Sequence, residues 1–327
     1  MNGRATLRTV PERTLRTGLL ALSRRRSLGR LATRLPIARD MVRRFVAGET
    51  LDDALGALER LRDRGFATTV DILGESVTSI DAARAAAAGY IEALDALAER
   101  GLDRNVSLKL SQMGLNVDEA VCRENVGRIV ARAVELGAFV RIDMEDHATV
   151  DRTLATWRTV RPSPDVRATA DCGAVIQSAL RRSPADVDQL IAEGARVRLC
   201  KGAYQEPASV AHQDRADVDG AYAALMGDLL RRGTFPAFAT HDPALIAEAI
   251  EVARADVIAR DRFEFQMLYG IRRDLQERLL DAGYGVRVYV PFGHEWYPYF
   301  MRRLAERPAN VAFLLRTVIR EGRGPDR

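Results

Sequence analysis

Two adjacent arginines, Arg302 and Arg303, stand in the stretch YVPFGHEWYPYFMRRLAER, with Tyr299 one turn before them and Glu306 one turn after. A guanidinium presents its N–H donors in a rigid plane that matches the two oxygens of a carboxylate. Paired arginines therefore suit the grip of a small acid such as an amino acid. Tyr289, closing the apolar run that precedes them, brings a second phenol to the same neighbourhood. Glu306 lies three and four residues beyond the arginines, on their own helix face, and can orient them. A pair of arginines on a helix more often faces water, so the reading depends on what surrounds it.

Other stretches add ionisable groups of the same kind. VRLCKGAYQEP carries Arg198, Lys201 and Tyr204 at intervals of three, two cations and a phenol suited to a phosphate or an anionic ring system. Lys109 in SLKLSQMG and Asp143 in RIDMED form either a structural ion pair or the setting of a Schiff-base lysine. FATHD ends in Thr240 and His241 before Pro243. Glu145, Asp146 and His147 resemble a ligand set, but consecutive strand residues point to opposite faces. Four histidines without a His/Asp/Glu cluster at ligand spacing speak against a metal site.

These groups need a scaffold that brings them together, and the chain's rhythm supplies one. ETLDDALGALERLRDRG predicts a helix with Thr50 as N-cap, Asp53 at the third helical position, a stripe of Leu51, Leu55, Leu58 and Leu61, and Gly65 as terminator. From residue 66 short apolar runs alternate with longer amphipathic stretches: FATTVDILGE, NVSLKLSQMG, FVRIDMED, VRATADCG, VRLCKGAY, FPAFATHD, FEFQMLYG and VRVYVPFG. Strand–helix alternation of this kind makes a parallel sheet, and about eight units suit a (β/α)8 barrel. A doubly wound sheet would want a glycine-rich loop after its first strand, and DILGESVTS is not one. The expected organisation is a helical segment over 1–65 and a barrel over 66–327. Polar groups gather at the strand ends: Glu75, Lys109, Asp143, Asp171, Arg198, Thr240, His241, Gln266 and Tyr289. In a barrel all such ends share one face, where the active sites of this fold sit. Glu75, ending the first strand, would close round to the arginine helix and could pair with Arg302 or Arg303 when the site is empty.

Taken in order, DILGE, SLKLSQMG, RIDMED, RLCKGAY, FATHD and YVPFG…WYPYFMRRLAE resemble the proline dehydrogenase family, in both its monofunctional bacterial form and the proline dehydrogenase domain of the bifunctional protein. The resemblance runs from about residue 45 to 318. It implies a distorted barrel preceded by helices, non-covalent FAD, oxidation of L-proline to Δ1-pyrroline-5-carboxylate and electron transfer to a membrane quinone. It also implies that Arg302, Arg303, Tyr289 and Lys109 bind or enclose proline, with Tyr299, Leu268 and Tyr204 close by and Asp143 supporting Lys109. Glu75 would gate the site, and Glu306 would hold the arginines. Gln177, Arg198, Lys201, Thr240 and His241 match positions that contact FAD, with Arg198 the cation near flavin N5. Cys200 stands where the family often has valine.

Composition is compatible with such an enzyme. Of 327 residues, 47% are hydrophobic and 29% charged, and 49 Lys+Arg against 45 Asp+Glu leaves a net +4 spread over intermixed charges. That argues for ordinary solvated faces over a nucleic-acid footprint, which would need a clustered basic stripe. Cys122, Cys172 and Cys200 are too few for a disulfide framework, which suits a reducing cytoplasm. The N-terminal residues carry no adequate apolar segment for a signal peptide, and no window reaches the roughly 18 apolar residues of a membrane span. Arg24–Arg26, Arg30 and Arg34 form either a solvated face or a peripheral contact with anionic headgroups at the inner face of the cell membrane. Two rivals stay open: a Schiff-base aldolase using Lys109 or Lys201, and a non-catalytic ligand-binding barrel.

Overall fold

The computed structural model describes residues 42–74 and 76–306, with the side chains of residues 304–306 outside that description. Glu75, the Glu306 side chain and the Arg24–Arg34 cluster, all singled out above, lie outside the described residues. Past a helical stretch at residues 42–45, α1 (Leu51–Arg62) opens on the expected capping box. Thr50 Oγ1 accepts from the Asp53 N–H at 3.2 Å, and the Asp53 carboxylate accepts from the Thr50 N–H at 3.1 Å. Ala54, Leu55, Leu58 and Leu61 of this helix are buried in the main core, with Leu51 packed at its margin. The helix gives way at Asp63, and Gly65, at φ +88°, turns the chain into the barrel.

Eight strands follow, each with a helical return. They are β1 (Ala67–Ile72), α2 (Ile80–Glu99), β2 (Asn105–Lys109), α3 (Leu110–Met113), α4 (Glu119–Leu136), β3 (Phe139–Asp143), α5 (Val150–Val160) and β4 (Asp171–Gln177). The second half runs α6 (Ser183–Ala192), β5 (Val197–Cys200), α7 (Arg215–Arg232), β6 (Ala237–Ala239), α8 (Pro243–Ala255), β7 (Glu264–Leu268), α9 (Arg273–Asp281), β8 (Gly285–Phe292) and α10 (Trp296–Glu306). Every strand pairs in parallel with its sequence neighbour, and β8 pairs with β1 to close the (β/α)8 barrel.

Period-2 alternation explains how a chain this polar at its strands still buries them. Val106, Leu108, Val140, Ile142, Leu199, Phe265 and Val288 are fully buried, forming the apolar register covered by the helices. The alternate residues, Ser107, Arg141, Arg198, Glu264, Gln266 and Arg287, are also buried, and all but Arg141, which donates to backbone carbonyls, bond to one another. Aliphatic layers usually fill such a barrel. Here Arg287 Nε donates to both Glu264 oxygens at 2.9 and 3.1 Å and Arg287 Nη1 to the Thr68 carbonyl at 2.6 Å, the satisfaction that buried charges require.

Two strand boundaries differ from the expectation. Residues 166–170 of VRATADCG form turns, and β4 begins only at Asp171 and continues to Gln177. Asp171 therefore opens its strand at the face opposite the site, where it pairs with Arg161 Nε at 3.3 Å. The unbroken burial of DCGAVIQ, as expected for a parallel strand covered on both sides, outweighs the weaker alternation of VRATA. Likewise β1 ends at Ile72, so the ionisable group it delivers to the barrel mouth is Asp71, with Glu75 three residues beyond the strand.

Gly173 marks how tightly the polar interior is packed. A Cβ there would lie 2.5 Å from Arg141 Nη1, 2.6 Å from the Arg196 carbonyl oxygen and 2.6 Å from Phe139 Cζ. Backbone cannot yield as a side-chain tip can, so Gly173→Ala should cost about 3 kcal/mol, at the top of the overpacking range. Urea unfolding checks this, and a loss under about 0.5 kcal/mol would show that the barrel interior is looser than these distances imply.

Candidate active site

Five side chains converge inside the barrel mouth because their strands present the same parity there. Lys109 and Asp143 are register partners at the ends of β2 and β3, and Tyr289 of β8 is in register with both Thr69 of β1 and Leu268 of β7. Lys109 Nζ lies 3.0 Å from Asp71 Oδ1 and 3.6 Å from Asp143 Oδ2. The Tyr289 hydroxyl donates to Asp143 Oδ2 at 3.0 Å, and Arg198 Nη1 donates to Asp143 Oδ1 at 2.7 Å. Arg198 also reaches Gln266 Oε1 and Ser107 Oγ, and its guanidinium lies 5.4 Å from the centre of the Tyr289 ring. Two carboxylates thus balance two cations, so the cluster carries no net charge of its own.

Asp71, 1% exposed and inside the strand FATTVDI, is the closest partner of Lys109 and is not among the candidates read from the sequence. Its signal was present in the sequence. A lone carboxylate inside an apolar strand, two residues from Thr69 and so on the same face, had to find a cation across the barrel. The pairing of Ser111 with Glu145 is likewise a tertiary one. The Glu145 carboxylate caps α3 by accepting from the Ser111 N–H at 2.8 Å and from the Ser111 hydroxyl.

Burial works against the charge on Lys109, but attraction to Asp71 and Asp143 more than offsets it and holds the ammonium above its ordinary range. Burial, reinforced by Asp143 and Asp71, also pushes the Tyr289 phenol well up. Both groups therefore keep their protons more firmly in the folded chain than in the unfolded one. Their contribution to stability is complete below about pH 10 and is lost as pH rises further. The urea midpoint should fall above that pH, and less steeply in Tyr289→Phe. Equal slopes would remove Tyr289 from the account.

Over the mouth lies α10. Trp296, Tyr299, Phe300 and Met301 bury themselves against Phe45, Val46, Leu73 and Ile271, with Leu268 packed beside them. Leu73 follows β1 and Leu268 ends β7, so the helix is pinned across the strand ends. Trp296 Nε1 adds a bond to Glu49 at 3.1 Å. Arg302 and Arg303 are half-buried on this helix, and the Arg303 guanidinium stacks 5.1 Å from the Tyr299 ring centre.

The remaining residues line the ends of β4 to β7. Gln177 Nε2 donates to the Glu145 carbonyl at 2.6 Å. Lys201 pairs with Asp219 at 2.5 Å and with Asp242 at 3.1 Å. Thr240 Oγ1 accepts from the Asp242 N–H at 3.1 Å. His241 Nε2 accepts from the Leu268 N–H at 2.9 Å, which places the proton of a neutral ring on Nδ1. Tyr204 is exposed on the loop after β5. Among the described residues no three His, Cys, Asp or Glu side chains gather as metal ligands.

A proline dehydrogenase family model matches residues 54–316, from within α1 to beyond α10. The chain belongs to the proline dehydrogenase family. It is 42% identical to a proline dehydrogenase of Deinococcus radiodurans over 86% of this chain and 91% of that protein. It is 38% identical to proline dehydrogenase 1 of Bacillus subtilis strain 168 over 94% of this chain and all of that protein. Among solved structures it is similar to proline utilization A from Bdellovibrio bacteriovorus inactivated by N-propargylglycine, with a TM-score of 0.75 and 28% identity. That match covers 82% of this chain and 32% of the other, so the chain spans about a third of that protein. As a proline dehydrogenase, it gives the aldolase reading little support, since a Schiff-base lysine must be a neutral amine. Lys109 is held as an ammonium, and Lys201 is committed to two aspartates.

Proposed function

We propose that the chain oxidises L-proline to Δ1-pyrroline-5-carboxylate using non-covalently bound FAD and passes the electrons to a membrane quinone. The observation that carries this reading is the charge-balanced cluster of Asp71, Lys109, Asp143, Arg198 and Tyr289 beneath a helix bearing two arginines. Because the cluster neutralises itself, the arginines above it provide the positive charge for an incoming carboxylate. The donor set along β4 to β7 suits a flavin: a buried guanidinium at Arg198, an ammonium at Lys201, the Gln177 carboxamide and the His241 ring. Bound FAD would supply the hydride acceptor, at N5, for the hydrogen on proline C5.

Arg302 and Arg303 would bind the carboxylate as a planar clamp, and Tyr299 and Leu268 would wall the ring carbons. Lys109 and Tyr289 would enclose the substrate from the barrel side, with Tyr204 near the entrance and Arg198 as the cation beside N5. Lys201, Gln177, Thr240 and His241 would hold the rest of the cofactor. Glu75 is proposed as the gate partner of an arginine, and Glu306 as the group that orients the pair. The substrate nitrogen must be a neutral amine for C5 to release hydride, and the surrounding cations favour that form. Among the described residues no helix is long and apolar enough to cross a membrane. Contact with the quinone is therefore proposed as peripheral, from the cytoplasmic side.

The test is the visible spectrum of the purified protein before and after anaerobic L-proline. The expected result is an oxidised flavin spectrum that bleaches on addition. A flavin that stays oxidised would overturn the substrate, and a colourless protein that cannot be reconstituted with FAD would overturn the cofactor.

A further inference from the structure

The amino-terminal face of the barrel, opposite the site, holds a cavity of about 240 Å³. Its charged lining consists of Asp103, Arg104, Arg167, Asp171, Arg196 and Arg287. The two aspartates are already engaged, Asp103 by Arg287 and Asp171 by Arg161. Among the described residues the other three arginines have no carboxylate at ion-pair distance. Arg104 donates to the Leu136 carbonyl and Arg167 to the Pro162 carbonyl at 2.8 Å. Among the described residues Arg196 makes no hydrogen bond through its side chain, and its Nε is buried without a partner. Arg141, just inside the barrel, also has an unpartnered buried Nε, although its Nη1 donates to the Arg196 and Ala174 carbonyls. Leaving guanidinium donors unsatisfied and like charges adjacent is costly, so the arrangement calls for a compensating anion.

The geometry also holds the arginine in place. Arg196 is clamped between the rings of Phe139 and Phe235, its guanidinium carbon 4.6 Å from each ring centre. Phe235 takes its position with φ +44°, a left-handed conformation that is unfavourable for a bulky residue. Strain of that kind persists only where the surroundings impose it, and here it completes the clamp. Burial, together with Arg198 and Arg196, pushes the Arg141 guanidinium well below its ordinary range, in keeping with excess positive charge at this end of the barrel. The cavity is smaller than the roughly 300–1,000 Å³ of pockets for drug-sized ligands, which restricts it to a small occupant.

We propose that this cavity is a binding site for a small multivalent oxyanion of the phosphate class, held by Arg196 with Arg167 and Arg104 at its rim. Three guanidiniums without acidic partners favour a dianion over chloride, and the fixed plane of Arg196 favours an ion offering two oxygens. The site is distinct from the barrel mouth and does not depend on the proposed reaction.

The experiment is isothermal titration of the purified protein, with whatever cofactor it carries, with inorganic phosphate at constant ionic strength set by chloride. The expected result is saturable binding with an apparent Kd of about 1 mM or tighter, weakened roughly tenfold or more in Arg196→Gln and in Arg167→Ala. Arg167 lies in the turns before β4, so its variant tests the site without disturbing the aromatic clamp. Lys201→Gln, at the opposite face, should leave phosphate binding unchanged. Heats no larger than those of chloride dilution would overturn the proposal. So would binding lost in Lys201→Gln but kept in both arginine variants, since that would locate the phosphate at the barrel mouth.

Discussion

Exchanging Asp143 for Asn should lower proline turnover by roughly a hundred- to a thousandfold and destabilise the fold by about 3–5 kcal/mol. The side chain accepts from Tyr289 and from Arg198, and it lies 3.6 Å from Lys109. An amide keeps the shape but removes one of two negative charges, leaving Lys109 with Asp71 and Arg198 without the carboxylate it is paired with. The Arg198 guanidinium, only 6% exposed, cannot turn to water for compensation. Breaking one partner of a buried ionic cluster costs far more than the cluster contributes as a whole, because the remaining charge stays buried. Activity should fall with stability because Arg198 and Lys109 are both held in place through this carboxylate. Two measurements separate the effects: urea unfolding, and the rate of anaerobic flavin reduction in the fraction that is folded. A variant with wild-type stability and a wild-type reduction rate would show that the cluster is not the frame of the site.

The Arg302→Met, Arg303→Met double variant should lose roughly a hundred- to ten-thousandfold in kcat/KM for L-proline. A hydrogen bond to a charged group contributes about 1.5–3 kcal/mol, and two such bonds give that range. A substrate comparison isolates the cause. Pyrrolidine has the same ring and nitrogen but no carboxylate. If the arginines act on the carboxylate, the double variant should turn over pyrrolidine as the unaltered enzyme does, and proline should fall towards the pyrrolidine rate. An equal fall for both substrates would mean that the substitutions displaced α10 from the barrel mouth, leaving the carboxylate grip unsupported. Methionine keeps the apolar stem of each arginine, which limits that displacement.

The barrel was legible because its signals are local and repeated. Eight apolar runs, each followed by an amphipathic return, set the strand count, and Thr50 with Asp53 marked the helix start at α1 to the residue. The exceptions have the same character. At β4 the strand lies where burial is continuous, and VRATA shows that alternation alone can mimic a strand that long-range packing does not support. At β1 the carboxylate that reaches the site is Asp71, inside the strand, and its role depends on the distant Lys109.

By itself, the sequence determined which residues alternate, where strands and helices follow one another, and that cations and phenols gather at one set of strand ends. Those properties reside in neighbouring residues and their periods. Only the tertiary structure decided the partners: that Lys109 is shared by Asp71 and Asp143, that Arg198 reaches across the barrel to Asp143 and Gln266, and that α10 is pinned over the mouth by Leu73 and Leu268. A charge buried in a closed sheet must be neutralised within a few ångströms. Which carboxylate lies that close is set by strand order and register, over separations such as the 55 residues between Asp143 and Arg198.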